Sequence, residues 1–345
     1  MKAKVSIIVP SYNRASYIKT CLASLQNQSL RDVEIIVIDD GSTDKTSEIV
    51  QALAAKDPRI MLVRQPQSGV AAARNNGLKH ATAPYIMFCD SDDFFKPNMC
   101  QRMLDTIEKT KVDVVACTME LVYQDDSEQK DIEDYVKLKF EGKHRLDFEK
   151  IIFTDVSLPT KIFKKSLIDQ YQMTFPVGLY FEDAFFCDQY FSIAKNIYYL
   201  NEKLYNYVRH NNSIMSQSFR KNPIAIDYLK VIVKTYDFFK KQGIFKAQAD
   251  LFWHRFIQYY TFSYDNSPFY KHPSLKRWAK RFVRQHQAEL SLAAPHIQKD
   301  LRKILKHRFS LKERCYQLAP IRFLWHNFAK PLKIRYQKIK TKESK

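Results

Sequence analysis

The feature that most constrains the fold is an alternation of short apolar runs and helix-periodic stretches in the first third of the chain. VSIIVP (Val5–Pro10) and VEIIVI (Val33–Ile38) are apolar along their whole length, as strands buried on both faces are. Ile60–Val63 and Tyr85–Cys89 repeat the signal. Helical spacing separates these runs, so the pattern predicts an α/β fold, with a mostly parallel sheet flanked by helices.

Polar residues follow three of these predicted strands. The strand ends are Pro10–Arg14, Asp39–Ser42 and Asp90–Asp93. Because parallel sheets bind ligands beyond the carboxyl ends of their strands, we expect the three clusters to converge on one rim. Each cluster has a simpler interpretation, in which the side chains only cap the next helix.

The third cluster places Asp90, Asp92 and Asp93 within four residues. Two carboxylates at ~4 Å repel by ~4 kcal/mol at an effective dielectric constant of ~20, so a nearby cation is expected. Mg²⁺ and Mn²⁺ prefer oxygen ligands, commonly one or two carboxylates together with substrate phosphates. The alternative is an acidic surface turn before a helix that Pro97 starts.

The stretch SGVAAARNNG predicts a helix that opens near Gly69. Its first N–H groups, at Gly69–Ala71, and the Arg74 cation suit a phosphate, although an isolated arginine is more often a solvated surface residue. None of the six glycines forms a G-x-G-x-x-G motif, and there is no Walker P-loop, which excludes the usual dinucleotide and nucleoside triphosphate signatures.

The alternation ends after Cys117, and the charged stretch Glu120–Glu149 predicts a loop or lid. Further on, Glu182 and Asp183 lie among aromatic residues in LYFEDAFF. Desolvation raises the pKa of a carboxyl group, which suits a proton acceptor. The alternative is an acidic N-cap for a helix that begins at Ala184.

Five motifs together resemble the family 2 glycosyltransferases, which have the GT-A fold. They are VSIIVPSYN, IDDGSTD, SGVAAARNNG, CDSDDFF and FPVGLYFEDAFF, in family order over roughly Lys4–Ile214. The resemblance implies a GT-A, Rossmann-like sheet that binds a nucleotide-sugar through residues 1–119 and an acceptor through residues 120–215. Residues 216–345 lie beyond it as a basic, aromatic-rich helical extension.

The resemblance also implies roles for single residues. Asp183 is implied to be the catalytic base, with Glu182 beside it in the acceptor pocket. Asp92 and Asp93 are implied to hold Mn²⁺ or Mg²⁺; His210 is a further metal candidate, and a solvent-exposed loop histidine is the alternative. The implied donor-binding residues are Pro10, Tyr12, Arg14, Asp39, Asp40, Gly69, Arg74, Asn75, Asp90 and Ser91.

The function implied by the resemblance is an inverting, metal-dependent transfer of a hexosyl or N-acetylhexosaminyl group. The donor would be a nucleotide-sugar, most often a UDP-sugar, and the acceptor a hydroxyl of a glycan or lipid-linked molecule in bacterial surface polysaccharide biosynthesis. The competing interpretation is a nucleotide- or nucleic-acid-binding module that has kept the rim and lost the chemistry. Intact carboxylates at Asp90–Asp93 and at Asp183 favour the enzyme.

Composition and charge add predictions about location. Hydrophobic residues make up 45% and charged residues 27%, as in soluble globular proteins. No apolar run reaches ~18 residues, and the first run is too short for a signal peptide, which predicts a cytoplasmic protein. The six cysteines form no Cys-x-x-Cys pair, so neither a zinc site nor a disulfide framework is indicated.

The net charge of +19 is concentrated near the C-terminus, where Lys271–Lys345 has 21 Lys or Arg against four Asp or Glu. Basic residues interleaved with Trp278, Phe282 and Trp325 suit a helix at the inner face of an anionic membrane. A solvated tail or a docking surface for a partner enzyme is the alternative. Nucleic acid is not expected, because there is no helix-turn-helix, zinc-finger or RNP motif.

Overall fold

The computed structural model describes residues 2–123, 138–209, 223–267 and 272–306. These residues form two compact units. The first, here the sheet unit, contains the described residues of 1–124, 136–150 and 156–209; the second, here the helical unit, contains those of 125–135, 151–155 and 210–345. The predicted split of the sheet unit into donor and acceptor parts concerns function and stays a prediction.

Nine strands of the described residues form a single sheet in the order β3-β2-β1-β4-β8-β6-β9-β5, with β7 also paired to β9. Their bounds are β1 Val5–Ser11, β2 Val33–Asp39, β3 Ile60–Arg64, β4 Tyr85–Phe88, β5 Phe94–Phe95, β6 Val114–Tyr123, β7 Gly142–Arg145, β8 Lys161–Lys164 and β9 Asn196–Arg209. The first four strands pair with one another in parallel orientation, as predicted. β8 then joins β4 and β6 in antiparallel orientation, so the complete sheet is mixed.

Helices pack on this sheet. Their bounds are α1 Ile18–Gln26, α2 Thr46–Ala54, α3 Val70–His80, α4 Met99–Thr110, α5 Phe148–Phe153, α6 Lys165–Gln170 and α7 Glu182–Ile193. The short helix α5 has residues in both units. The apolar positions that predicted α1 are its buried residues, and every residue of β1 is buried. The fold therefore follows from the burial of fully apolar strands between helices.

Gly77 fixes how closely α3 approaches the sheet. A Cβ atom at this position would lie 2.3 Å from Ile8 Cγ2 in β1, closer than any real contact. A larger residue would push the helix away from the strand. The close approach places the first turns of α3, which carry Arg74 and Asn75, near the carboxyl ends of β1 and β4.

The helical unit confirms the predicted C-terminal helical extension. A short 3₁₀ helix, Pro223–Ile226, precedes α8 Asp227–Lys241, α9 Ala249–Asn266, α10 His272–Gln285, α11 Gln287–Leu290 and α12 Pro295–Lys306. Aromatic rings from α9 and α10 pack in its core, including Trp253, Phe256 and Phe282. Among the described helices, none has the combined length and apolar character that crossing a membrane requires.

Candidate functional site

Hydrogen bonds tie the ends of β1 and β2 into one rim. The backbone N–H of Asn13 donates to Ser42 Oγ at 3.0 Å, and Asn13 Oδ1 accepts from the N–H of Thr43 at 2.9 Å. The N–H of Arg14 donates to Thr46 Oγ1 at 2.8 Å. These contacts join the first two predicted clusters, as the topology required.

Asp39 and Asp40 are buried and hold loops of this rim. Asp39 accepts from the N–H of Ser42, while Asp40 accepts from the N–H groups of Ser68 at 2.8 Å and Gly69 at 2.7 Å. The Gly69 N–H that the sequence assigned to a phosphate is therefore engaged by Asp40. A glycine is required at position 69 because its φ of 89° lies in the left-handed region, which other residues rarely adopt.

The three aspartates after β4 occupy different environments. The side chains of Asp90 and Asp92 are 34% and 20% exposed, whereas Asp93 is 2% exposed. The Tyr205 hydroxyl donates to one Asp93 oxygen at 2.5 Å, and the Val208 N–H donates to the other at 2.7 Å. Burial and the neighbouring charges of Asp90 and Asp92 raise the pKa of Asp93 well above its ordinary value. Asp93 thus anchors the motif to β9, and its role as a metal ligand stays a prediction.

The carboxylates of Asp90 and Asp92 suit a metal ion whose remaining ligands come from substrate phosphates. Within the described ranges, no group of three or more His, Cys, Asp or Glu side chains is arranged to hold an ion. Two partly exposed carboxylates nevertheless match the number that Mg²⁺ or Mn²⁺ takes beside substrate phosphates. Arg14 Nε lies 3.4 Å from Asp92 and supplies positive charge there. The candidate His210 lies outside the described residues.

Arg74 joins the two acidic parts of the rim. Its guanidinium contacts Asp90 Oδ1 at 2.9 Å and Glu182 Oε1 at 2.5 Å, and lies over the Phe175 ring at 5.7 Å. The side chain is 7% exposed, so the interpretation as a solvated surface residue is wrong. Burial alone would lower its pKa, but Asp90, Glu182 and Asp183 outweigh burial and raise it. Arg74 is therefore a permanent buried cation between these carboxylates.

Asn75 has a role that the sequence did not predict. Its side-chain amide donates to the Phe175 carbonyl at 2.8 Å and accepts from the Phe175 N–H at 2.7 Å. The Phe175 ring stacks on Phe186 with centroids 4.4 Å apart. Asn75 thus fixes the start of the segment that leads into Glu182, and its predicted contact with a diphosphate stays a prediction.

Asp183 has the perturbed acidity expected of a proton acceptor. Burial is the main cause, and Glu182 adds to it, so that the pKa of Asp183 is raised to about 7. The charge of Arg74 and the Ala184 N–H, which donates to Asp183 Oδ1 at 2.8 Å, oppose the shift. Phe181, just before α7, has a φ of 63°, an uncommon backbone for a bulky residue. Since α7 begins at Glu182, Asp183 is within the first turn and is not the N-cap.

The remaining predicted residues differ in accessibility. Tyr12 is 36% exposed at the end of β1, whereas Pro10 and Ser91 are buried. Ser11 belongs to the predicted Pro10–Arg14 cluster but was not among the predicted donor-binding residues, and its buried Oγ has no hydrogen-bond partner among the described residues. Arg74 Nε is also buried without a hydrogen-bond partner among the described residues. Buried polar atoms usually have partners, so these two are candidates for contact with a bound molecule.

Comparison with known proteins identifies a family for this chain. The family model described as Glycosyl transferase family 2 matches residues 6–172. Glycosyltransferase GlyG of Streptococcus pneumoniae is 31% identical over 231 residues, which cover 64% of this chain and 75% of GlyG. The chain belongs to glycosyltransferase family 2. The family 2 match includes Arg74 and the Asp90–Asp93 motif, while Glu182 and Asp183 lie beyond it.

Two further comparisons concern length and fold. Putative glycosyltransferase EpsH of Bacillus subtilis (strain 168) is 32% identical over 231 residues, which cover 63% of this family 2 chain and 64% of EpsH. The match thus spans less than two thirds of that relative. The crystal structure of Staphylococcus aureus TarS 1–349 in complex with UDP-GlcNAc has a TM-score of 0.59 at 22% identity, covering 90% of this chain and 94% of that one. This likeness confirms the GT-A fold.

Proposed function

We propose that the chain is a glycosyltransferase that moves a sugar from a UDP-sugar to a hydroxyl of a glycan or lipid-linked acceptor, with inversion. The observation that carries this proposal is the Arg74 bridge, which brings Asp90 of the acidic motif and Glu182, the neighbour of Asp183, to one guanidinium. Membership of family 2 supports the reaction class, and the UDP-GlcNAc bound to TarS supports a UDP-sugar donor.

The donor half of the reaction needs positive charge at a diphosphate. Asp90 and Asp92 would hold Mn²⁺ or Mg²⁺, which when bound supplies Lewis-acid stabilisation of the departing phosphate oxygens. Ser11 Oγ and Arg74 Nε are unpaired donors among the described residues. Tyr12 offers an exposed ring at the same rim, suited to stacking on a nucleobase.

The acceptor half needs a base that is partly ionised near neutral pH. With a pKa of about 7, Asp183 can take the proton of an acceptor hydroxyl. That oxygen then forms a bond to the anomeric carbon while the bond from this carbon to the diphosphate breaks and the nucleoside diphosphate leaves. Attack opposite the leaving group inverts the configuration. Arg74 keeps the Asp183 pKa from rising further.

A non-catalytic nucleotide-binding module is less well supported. Such a module has no use for a carboxyl group whose pKa is raised to about 7 beside a buried Glu182–Arg74 ion pair. We further propose a place in bacterial surface polysaccharide assembly, which the family resemblance supports.

Asp183→Asn separates binding from transfer. We expect UDP to bind this variant within about threefold of the parent, while turnover falls by at least about 10²-fold, because general-base catalysis contributes about 10²–10⁴-fold. Asp169→Asn, at an exposed aspartate paired with Lys165, is the matched control. Nucleotide release from a panel of UDP-sugars measures turnover, and near-normal turnover by Asp183→Asn would refute the base assignment.

Asp92→Asn tests the metal. Isothermal titration of UDP with and without Mn²⁺ is expected to show tighter binding with the metal in the parent and no metal effect in the variant. A parent protein whose UDP affinity is the same with and without Mn²⁺ would contradict the metal site while leaving the Asp183 assignment open to its own test.

A further inference from the structure

Two helices of the helical unit expose rows of basic side chains that the proposed sugar transfer does not use. Each row has the spacing i, i+3, i+4, i+7, which places its members on one helix face. The rows are Arg277, Lys280, Arg281 and Arg284 on α10, and Lys299, Arg302, Lys303 and Lys306 on α12. Because α10 and α12 pack against each other, both rows belong to one body.

The charge of these rows is largely uncompensated. His272–Gln285 contains no Asp or Glu, and no carboxylate among the described residues pairs with the four basic residues of the α10 row. On α12, Lys303 contacts Asp300 at 3.1 Å. Like charges at i, i+4 destabilise a helix, so each row lowers the stability of its own helix. Binding of an external anion would offset this loss of stability.

The aromatic residues of α10 face the interior of the helical unit. Leu275, Ala279 and Phe282 are buried, and Trp278 is partly buried, stacked on Phe256 at 6.0 Å and on Phe282 at 5.4 Å. The expectation that Trp278 and Phe282 enter a membrane interface is therefore wrong for this arrangement. These rings are part of the core of the helical unit. The outer face of α10 therefore presents basic side chains and no aromatic ring that could insert into a bilayer.

We propose that the α10 and α12 rows form a docking surface for an anionic lipid bilayer, which they bind by electrostatics without insertion. A leaflet with acidic headgroups presents a dense negative surface that Lys and Arg recognise without specific pockets. Single-stranded nucleic acid is disfavoured, because its binding relies on exposed aromatic rings for base stacking, and here the rings are packed inside. The docking surface does not depend on the proposed sugar transfer.

Co-sedimentation with vesicles tests the surface in the full chain. The vesicles are phosphatidylcholine with or without 30% phosphatidylglycerol, in about 50 mM and about 500 mM NaCl. We expect binding only to the anionic vesicles and only at low salt, because the Debye length falls from about 14 Å to about 4 Å over this range. Equal binding to both vesicle types, or binding that persists at high salt, would overturn the electrostatic mechanism.

A charge-matched pair of variants locates the surface. Arg277→Gln, Lys280→Gln, Arg281→Gln and Arg284→Gln together are expected to weaken binding at least tenfold, since each basic residue near an anionic leaflet contributes about fivefold. The control makes the same substitution at four exposed lysines of the sheet unit, which are Lys19, Lys56, Lys79 and Lys109. An effect of equal size in both variants, or none in the first, would overturn the assignment. Unchanged helical circular dichroism excludes misfolding.

Two readouts address the alternatives. In the Trp325→Phe variant, the remaining tryptophans are Trp253 and Trp278. Lipids with brominated acyl chains are expected not to quench the fluorescence of these two residues. Quenching would show insertion and refute docking without it. If a DNA duplex binds through the α10 row while anionic vesicles do not, the partner is nucleic acid and the bilayer proposal fails. UDP-sugar turnover, measured without vesicles, reports on the sugar transfer separately.

Discussion

Replacing Asp183 by Asn is expected to stabilise the protein while lowering turnover by at least about 10²-fold. The parent carboxyl has a pKa of about 7 in the folded state, against an ordinary value of 3.8. Between these two pH values the folded state retains a proton that the unfolded state has lost. Stability therefore falls as the pH rises from about 4 to about 7, and the full penalty is present above pH 7. Asn carries no such penalty.

The size of the effect follows from the same pKa values. One pKa unit corresponds to about 1.4 kcal/mol, which gives an upper bound of about 4 kcal/mol above pH 7. Asp183 is only partly buried, so solvent screening reduces the expected gain to about 1–3 kcal/mol. For a unit of about 150–250 residues this corresponds to a rise in melting temperature of about 2–10 °C. At pH 5 the gain is expected to be about a third of its value at pH 8.

The neighbouring Glu182 provides a control of opposite sign. Glu182→Gln removes one partner of the buried Arg74 ion pair, and Arg74 keeps Asp90 as its other partner. We expect a loss of about 1–3 kcal/mol, since breaking one buried pair leaves charge less compensated. Thermal unfolding followed by circular dichroism at pH 5 and pH 8 measures both variants. An Asp183→Asn variant that melts at or below the parent at pH 8, or that gains the same stability at both pH values, would refute the predicted penalty of the Asp183 carboxyl.

Three further changes test contacts of the site and its supports. Asn75→Ala is expected to raise KM for the acceptor several-fold with UDP affinity unchanged, because it frees the Phe175 backbone; an equal loss of UDP affinity would contradict this. Tyr205→Phe removes the donor to Asp93 and is expected to lower stability by about 1–2 kcal/mol and weaken Mn²⁺-dependent UDP binding; unchanged unfolding in urea would count against it. Gly77→Ala is expected to cost about 1–3 kcal/mol in the parent and less in an Ile8→Ala background, where the colliding methyl group is absent; additive losses would show that the two residues do not collide.

The parallel half of the sheet was predictable because its signals are local. The apolar runs of β1 to β4 end within a residue or so of their predicted bounds, and the buried positions of α1 are those with helical spacing. The antiparallel insertion of β8 between β4 and β6 was not predictable. Its four residues carry no pattern that identifies their neighbours, which lie far away in sequence.

The candidate site was predictable as a set of residues but not as a set of contacts. The carboxylates of the strand ends and of Asp183 were singled out by charge in apolar surroundings. The bonds of Asp40 to Gly69 and of Asn75 to Phe175 join residues 29 and 100 positions apart. No sequence periodicity encodes such bonds. For α10, an apolar helix face predicts burial but does not distinguish a membrane from a protein core, and here the core contains the rings.

Arg74 and Asn75 are consecutive on α3, yet they make different demands on the segment they hold. Asn75 bonds to main-chain atoms of Phe175, which any amino acid except proline could provide, whereas Arg74 requires a carboxylate at position 182. The segment between these two contacts includes the exposed Val177 and Tyr180, and neither the Asn75 bond nor the Arg74 ion pair involves their side chains. Substitutions at Val177 and Tyr180 are therefore expected to change the surface of this segment while both of its attachment points stay in place, provided that Glu182 is kept.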